Sequence, residues 1–311
     1  MKAKELFREF SDKHAEKLSF SMQFNWWNEV VQESWGVAIL NNGEETFGIM
    51  PYFIRSKGPW SFISNAHFTP YCGPFIIYPE GQKTTTRIAF EHRAYRDLIE
   101  QLPSFSEYSQ NFHLDFNNAL AFQWSGFTET NRYTYVLSLE QEEKELWSGL
   151  RENNRKQIKK AEKTIEFSET NDAVLLQNIL KQSIDNKIEL GYFERMVSYV
   201  KKYECGKVWK ATEGDDVHAV LLCMSDHKSA YYLLGGNAQE FKNSGAMSLL
   251  TWQALLHFKQ KGVKQFNFEG SSVAAVEKYF RGFGGDLVSF RRLEKQNSKS
   301  LEVAKKLKGK N

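Results

Sequence analysis

The chain has 311 residues, 41% of them hydrophobic and 14% aromatic, with a formal net charge of +3. That composition excludes a disordered chain, and the length predicts about two domains. No apolar run approaches the roughly 20 residues of a membrane helix, and Met1 to Ser21 lacks a secretory core, so a cytoplasmic protein without integral membrane association is expected. Cys72, Cys205 and Cys223 are odd in number and widely spaced, which predicts reduced thiols and no structural metal.

Residues 2 to 33 read as two helices, one with Leu6, Phe7 and Phe10 on a face, the other with Trp26, Trp27, Val30 and Val31. Val37 to Leu40 and Phe47 to Phe53 flank Asn42-Gly43 and predict a hairpin. A loop-rich stretch from 64 to 75 precedes a helix at 85 to 102, which stops before Pro103. After the strand Tyr133 to Leu139, the run EQEEKE marks a boundary. The second half opens with a long helix, Lys144 to Lys163, and another at about Ala173 to Leu190. Strands follow at Lys207 to Thr212, Val217 to Met224 and Ala230 to Gly235. Then come a helix from Gly245 to Lys261, a strand from Lys264 to Glu269, a helix from Ala274 to Phe280 and a strand near Leu287 to Leu293.

The same layout occurs twice. WGVAILNNGEETFGIMPYF near Trp35 parallels VWKATEGDDVHAVLLCMSD near Trp209, and HLDFNN (113 to 118) parallels QFNFEGSS (265 to 272). A tandem duplication with divergent loops predicts an α+β protein of two related half-domains, each a mostly antiparallel sheet flanked by helices. Boundaries are expected at 1–140 and 141–295, with a basic tail at 296–311.

Charge is uneven. Residues 151 to 163 carry six Lys/Arg against two Glu, giving +4, and 295 to 311 carry six Lys against Glu302, giving +5. Arg151, Arg155, Lys159 and Lys163 recur every four residues, which would stack cations on one helix face. Such a stripe suits a phosphorylated or nucleotide-linked substrate or an RNA backbone; the plainer alternative is a solvated face.

Three stretches go further: LWSGLRENNRKQIKKAEK (146 to 163), YYLLGGN (231 to 237) before the Gly245 helix, and FNFEGSSVAAVEKYFRGFGG (266 to 285). With the element order, they resemble the GNAT superfamily, and within it the FemAB-like branch of Fem-type aminoacyl transferases and BioF2-like acyltransferases. The resemblance implies two tandem GNAT-like half-domains and an acyltransferase that moves an acyl or aminoacyl group onto an amine in cell-envelope metabolism. It implies no tightly bound cofactor. The donor would be aminoacyl-tRNA, making tRNA a partner, or acyl-CoA as co-substrate. Alternatives are an acyl-CoA or acyl-carrier-protein N-acyltransferase and a non-catalytic module that grips a phosphorylated envelope precursor.

The resemblance also assigns residues. Glu269, ending a strand before Gly270, is a candidate base toward an amine, or a structural partner of Arg281 or Arg291. Phe280 and Arg281 occupy the position of a Phe-Lys pair near the transfer centre in Fem-type enzymes, and the Arg would act electrostatically. Alternation turns only one of Tyr231 and Tyr232 toward a cleft; either is a candidate proton donor to a leaving group, Tyr232 being the one taken for the site, and core packing is the plainer alternative. Arg151, Arg155, Lys159, Asn237, Lys242, Ser244 and Lys278 are candidate substrate contacts. In the anion-binding loop of GNAT enzymes, Ala246 would hold the last position, which puts Ser244 and Phe241 where Gly and Arg/Gln belong.

Overall fold

A computed structural model describes residues 2–181, 188–270 and 273–308. In chain order its elements are α1 (Lys2–Lys13), β1 (Trp35–Asn41), β2 (Thr46–Lys57), β3 (Trp60–Ser64), β4 (Phe75–Ile76), α2 (Thr84–Glu100), β5 (Glu107–Asn111), α3 (Leu120–Trp124), β6 (Thr128–Ser138), α4 (Glu143–Gly149) and α5 (Glu152–Ala161). They continue with β7 (Glu166–Glu169), α6 (Ala173–Leu180), α7 (Leu190–Tyr203), β8 (Gly206–Glu213), β9 (Asp216–Ser225), β10 (Ser229–Asn237), α8 (Ala246–Gln260), β11 (Gln265–Asn267), α9 (Ala274–Arg281), β12 (Asp286–Gln296) and α10 (Lys299–Lys308). The second predicted N-terminal helix is a π-helix, Trp26–Val31. The helix expected over 173 to 190 ends at Leu180, and its stretch 182 to 187 lies outside the described residues, as do Ser271 and Ser272.

The chain forms two compact units, residues 1–132 with 289–311, and residues 133–288. In the first, strands run β1-β2-β3-β5-β12; in the second, β8-β9-β10-β11-β6, with β7 beyond β8. The order is therefore the same, as the duplication requires, but the closing strand of each sheet comes from the other repeat. Gln265↔Ser138 registers β11 against β6, and Arg292↔Asn111 registers β5 against β12. This exchange corrects the cut expected at residue 140, since pairing partners rather than chain order decide which unit a strand stabilises. It also corrects the tail. Residues 299–308 form α10, whose Leu301 is buried, whose Ser300 accepts from Trp60 Nε1 at 3.1 Å, and whose Lys305 pairs with Glu107.

The repeat is out of register at one place. HLDFNN lies past β5 in a turn, with Phe116 N–H on the His113 carbonyl at 3.0 Å; the strand that matches β11 is EYSQN, 107–111. Tyr108 and Gln110 are its buried positions, and Gln110 is a polar core residue that hides the strand from a hydrophobicity reading.

Each unit has its own core. In the first, the rings of Phe112, Phe116, Phe122 and Phe127 stack edge to face, with 4.8 Å between Phe112 and Phe116 and 5.4 Å between Phe122 and Phe127. In the second, Leu221, Cys223, Tyr232, Phe266 and Phe268 from the sheet meet Leu250, Ala254 and Phe258 of α8. At about 25 cal/mol per Å² of apolar area, such burial is the main force that seats α8 on the sheet.

The long helix expected from Lys144 to Lys163 is two helices. Leu150 and Arg151 are extended between α4 and α5, because Gly149 is a poor helix former and the Arg151 N–H leaves the helix to donate to the Gly282 carbonyl at 2.9 Å. The carbonyls this break exposes are covered by Arg155, whose Nη1 donates to Ser148 O at 3.0 Å and to Leu150 O.

Candidate functional site

β10 creates the site by parting from its neighbour. It pairs in parallel with β11 only over Ser229 to Tyr231, and its register against β9 shifts between Tyr232 and Leu234. A bulge bends a strand and commonly re-aims side chains beside an active site. Beyond it, a cleft of about 560 Å³ opens among β10, α5, α9 and the start of α8. Its walls include Asn154, Tyr232, Asn237, Lys242, Met247 and Tyr279.

The first turn of α8 faces this cleft, with Gly245 at the N-cap in the left-handed region at φ +90° and no side-chain cap. A helix start leaves unsatisfied N–H groups and partial positive charge, a setting for phosphate or a polarised carbonyl. Gly245 is needed for more than its torsion, since a Cβ there would come 2.4 Å from the Gln157 carbonyl oxygen. This glycine shifts the loop by one residue against the spacing read from the sequence: with Gly245 as its first glycine, Lys242 stands at the Arg/Gln position. Phe241 instead stacks on the buried His218 ring at 3.9 Å and fixes the loop from behind.

Two phenols reach the cleft. Tyr232 donates to Met247 Sδ at 3.2 Å and lies against Phe280, with ring centroids 5.0 Å apart. Tyr279 donates to Met247 O at 3.1 Å and shares a 2.8 Å hydrogen bond with Thr251 Oγ1. Burial pushes both hydroxyls above the usual tyrosine range, so they are protonated at neutral pH. Asn154 is buried, and its Nδ2 has no hydrogen-bond partner among the described residues. A buried donor without a partner in the wall of a cleft calls for an acceptor.

The sequence candidates divide. Tyr232, Phe280, Asn237 and Lys242 line the cleft. Ser244 accepts from the Ala246 N–H at 3.2 Å and lines a neighbouring recess with Lys160 and His218. Arg151 caps α5 by its backbone, Arg155 is held on the α4 carbonyls, and Lys159 lies 5.8 Å over the Trp147 ring, so the four-cation stripe is broken by the helix boundary. Lys278 is exposed on α9, and Arg281 donates through Nε to Glu277 Oε1 at 2.9 Å; neither is among the described residues lining the cleft. Asn154, Gly245 and Tyr279 were missed, although all three lie within or beside the stretches that carry the family resemblance.

Glu269 stands on the other face of the sheet. Phe266 and Phe268 point into the core with Tyr232, while Asn267 accepts from Thr134 Oγ1 at 2.7 Å and Tyr231 donates to Asp226 Oδ2 at 2.7 Å on the far side. Glu269 has φ +63°, its N–H donates to Asn267 Oδ1 at 2.9 Å, and its Oε1 is buried without a partner among the described residues. Burial first, and then the charge of Asp226, push its carboxyl well above the ordinary range. It therefore pairs with neither arginine proposed for it: Arg281 has Glu277, and Arg291 donates to Glu129 at 2.5 Å.

Residues 148–281, which contain this cleft, match the acetyltransferase (GNAT) domain family. They form a GNAT domain. The whole chain has the fold of FemX, with a TM-score of 0.63 at 12% identity over 93% of this chain and 95% of that one. A similar likeness holds to the C-terminal domain of a putative lysylphosphatidylglycerol synthetase from Agrobacterium fabrum, with a TM-score of 0.59, 12% identity and coverage of 97% and 95%. The tandem GNAT protein from the clavulanic acid biosynthesis pathway follows at 0.55, 9%, 85% and 84%. At such identities the likeness is one of fold. No curated protein matches the sequence. Among the described residues, no helix is long and apolar enough to cross a membrane, and no cluster of three or more His, Cys, Asp or Glu is arranged to hold a metal.

Proposed function

We propose that this GNAT protein transfers an acyl or aminoacyl group from an activated ester or thioester to an amine in the building of the cell envelope. The observation that carries the reading is the convergence on one cleft of the α8 N-terminus, Asn154 with its unpaired Nδ2 and the protonated hydroxyls of Tyr232 and Tyr279. The helix start and Lys242 suit the phosphate groups of a coenzyme A or tRNA donor. Asn154 donates to a carbonyl of the bound donor and holds it in line for attack.

In the reaction the amine nitrogen forms a bond to the acyl carbon, and the carbonyl electrons move to oxygen. The oxyanion then collapses and expels the thiolate or ribose oxygen. A tyrosine hydroxyl of the cleft gives its proton to that leaving group, and the proton lost by the amine passes through water to restore that hydroxyl. The envelope context is supported by the folds of FemX and of the lysylphosphatidylglycerol synthetase domain.

The test is to supply the purified protein with acetyl-CoA, an acyl-carrier-protein thioester or aminoacyl-tRNA, each with a panel of amines, and to follow amide formation by mass spectrometry. Amide formed from one donor class, and lost in Asn154→Leu, supports the reading. A protein that binds none of the donors and forms no amide defeats it.

A further inference from the structure

The first unit has a cavity of its own, about 220 Å³, in the place the donor cleft takes in the second. Each is bounded by the segment before the unit's first strand, the link from its third strand to its helix, the early turns of that helix and the segment after its fourth strand. The chemistry differs. α2 begins at Lys83 in ordinary extended geometry, with no left-handed glycine, so the phosphate-binding device of α8 is not repeated. The floor is apolar, formed by the buried Met22, Cys72, Ile76 and Phe116, while Lys17, Arg87, His113 and Asp115 stand at the rim.

Arg87 is the informative residue. Its guanidinium lies 3.8 Å over the Tyr78 ring, which fixes its direction. Its nearest carboxylate, Glu91, is 3.9 Å away, beyond hydrogen-bond reach, because the two Glu91 oxygens are taken by Tyr78 Oη at 2.7 Å and Asn118 Nδ2 at 2.8 Å. Tyr78 takes one hydrogen bond from Arg87, and the other N–H groups of this half-exposed, oriented guanidinium at the pocket rim form a carboxylate receptor. Lys17 adds a second cation. Asp115, largely exposed, supplies one negative charge at the same rim.

We propose that this cavity binds a small amino-acid-like zwitterion, its carboxylate on Arg87 and Lys17, its ammonium on Asp115 and a short aliphatic side chain on the floor. The volume equals that of roughly seven liquid waters, which suits a molecule of alanine to valine size rather than a nucleotide. An apolar pocket with a few converging charges is the usual form of such a site. The site is independent of the donor cleft and of what is transferred there.

The experiment is calorimetric titration of the full chain with alanine, propionate, ethylamine and inorganic phosphate. Alanine should bind, with propionate weaker. Arg87→Ala should weaken alanine about tenfold or more, the worth of a charge-assisted hydrogen bond, and Asp115→Asn should weaken alanine but not propionate. Lys17→Ala, at an exposed position, should also weaken both carboxylates, and Lys278→Ala, at an exposed position on α9, should leave alanine binding as it is. The proposal fails if alanine gives no binding, if alanine binding is indifferent to all three rim substitutions, or if phosphate binds in preference to the amino acid.

Discussion

Gly245 lies so close to Gln157 that a single added methyl would meet its carbonyl oxygen at 2.4 Å. This contact joins α5 to the start of α8 and sets the position of the amides that open on the donor cleft. The oxygen belongs to backbone, so it cannot swing away as a side chain would.

Gly245→Ala should therefore both strain the φ +90° turn and push α8 from α5. The expected loss is on the order of 1 to 3 kcal/mol of stability, with a larger proportional loss of donor affinity. Thermal melting and donor titration of the same sample check it. An alanine variant with unchanged melting and binding would show that the helix start tolerates displacement.

Asn154→Leu should separate binding from stability. The side chain is buried with Nδ2 open, so its replacement by an apolar group of similar volume should not lower the melting temperature. Donor affinity should fall about tenfold, the worth of roughly one hydrogen bond of 1.4 kcal/mol. Equal affinity in both proteins would reduce Asn154 to packing.

The sequence showed the architecture well because the duplicated hairpins, Trp35 to Phe53 and Val208 to Met224, are runs of apolar and β-branched residues that carry their turns in Asn42-Gly43 and Glu213-Gly214. The strand exchange was not legible. β6 and β12 each pair with a strand far away in the chain, and no local pattern records which one. The break at Leu150 was likewise hidden, because the apolar stripe of Leu146, Leu150 and Ile158 continues across it while the backbone does not. Of the site, alternation narrowed the phenol to Tyr231 or Tyr232, and the loop before α8 named Lys242 as an anion contact. Asn154 and Tyr279 were not, since their importance lies in an unmet hydrogen bond and in a cleft wall, both properties of the folded chain.

Arg281→Met tests a different placement. The guanidinium is half-exposed, paired with Glu277 along one helix face and outside the cleft lining, so the variant should lose less than about 1 kcal/mol of stability. Turnover should stay within a few-fold of wild type, whereas an oxyanion-stabilising donor would cost on the order of 3 kcal/mol in the transition state. Steady-state kinetics on Arg281→Met and Arg281→Lys decide; a hundredfold loss in Met with partial rescue in Lys would return Arg281 to the transfer centre.

Glu269→Gln should stabilise the protein. In the unfolded chain this carboxyl ionises near pH 4.3, but in the native state burial beside Asp226 holds its proton to higher pH. Between the two values the native state binds more protons than the unfolded one, so native stability falls as pH rises through that window, by at most about 1.4 kcal/mol per pH unit. Below it both states are protonated and the group contributes nothing; above it both are ionised and the penalty is constant. Glutamine carries no titrating proton, so the melting temperature of Glu269→Gln should pull ahead of wild type as pH rises above about 4.3 and then run parallel to it. Because Glu269 lies on the sheet face away from the cleft, turnover in the same variant should stay within a few-fold of wild type. Melting curves that stay parallel from acid to neutral pH would show that the carboxyl is not held protonated, and a large loss of turnover would bring it into the reaction.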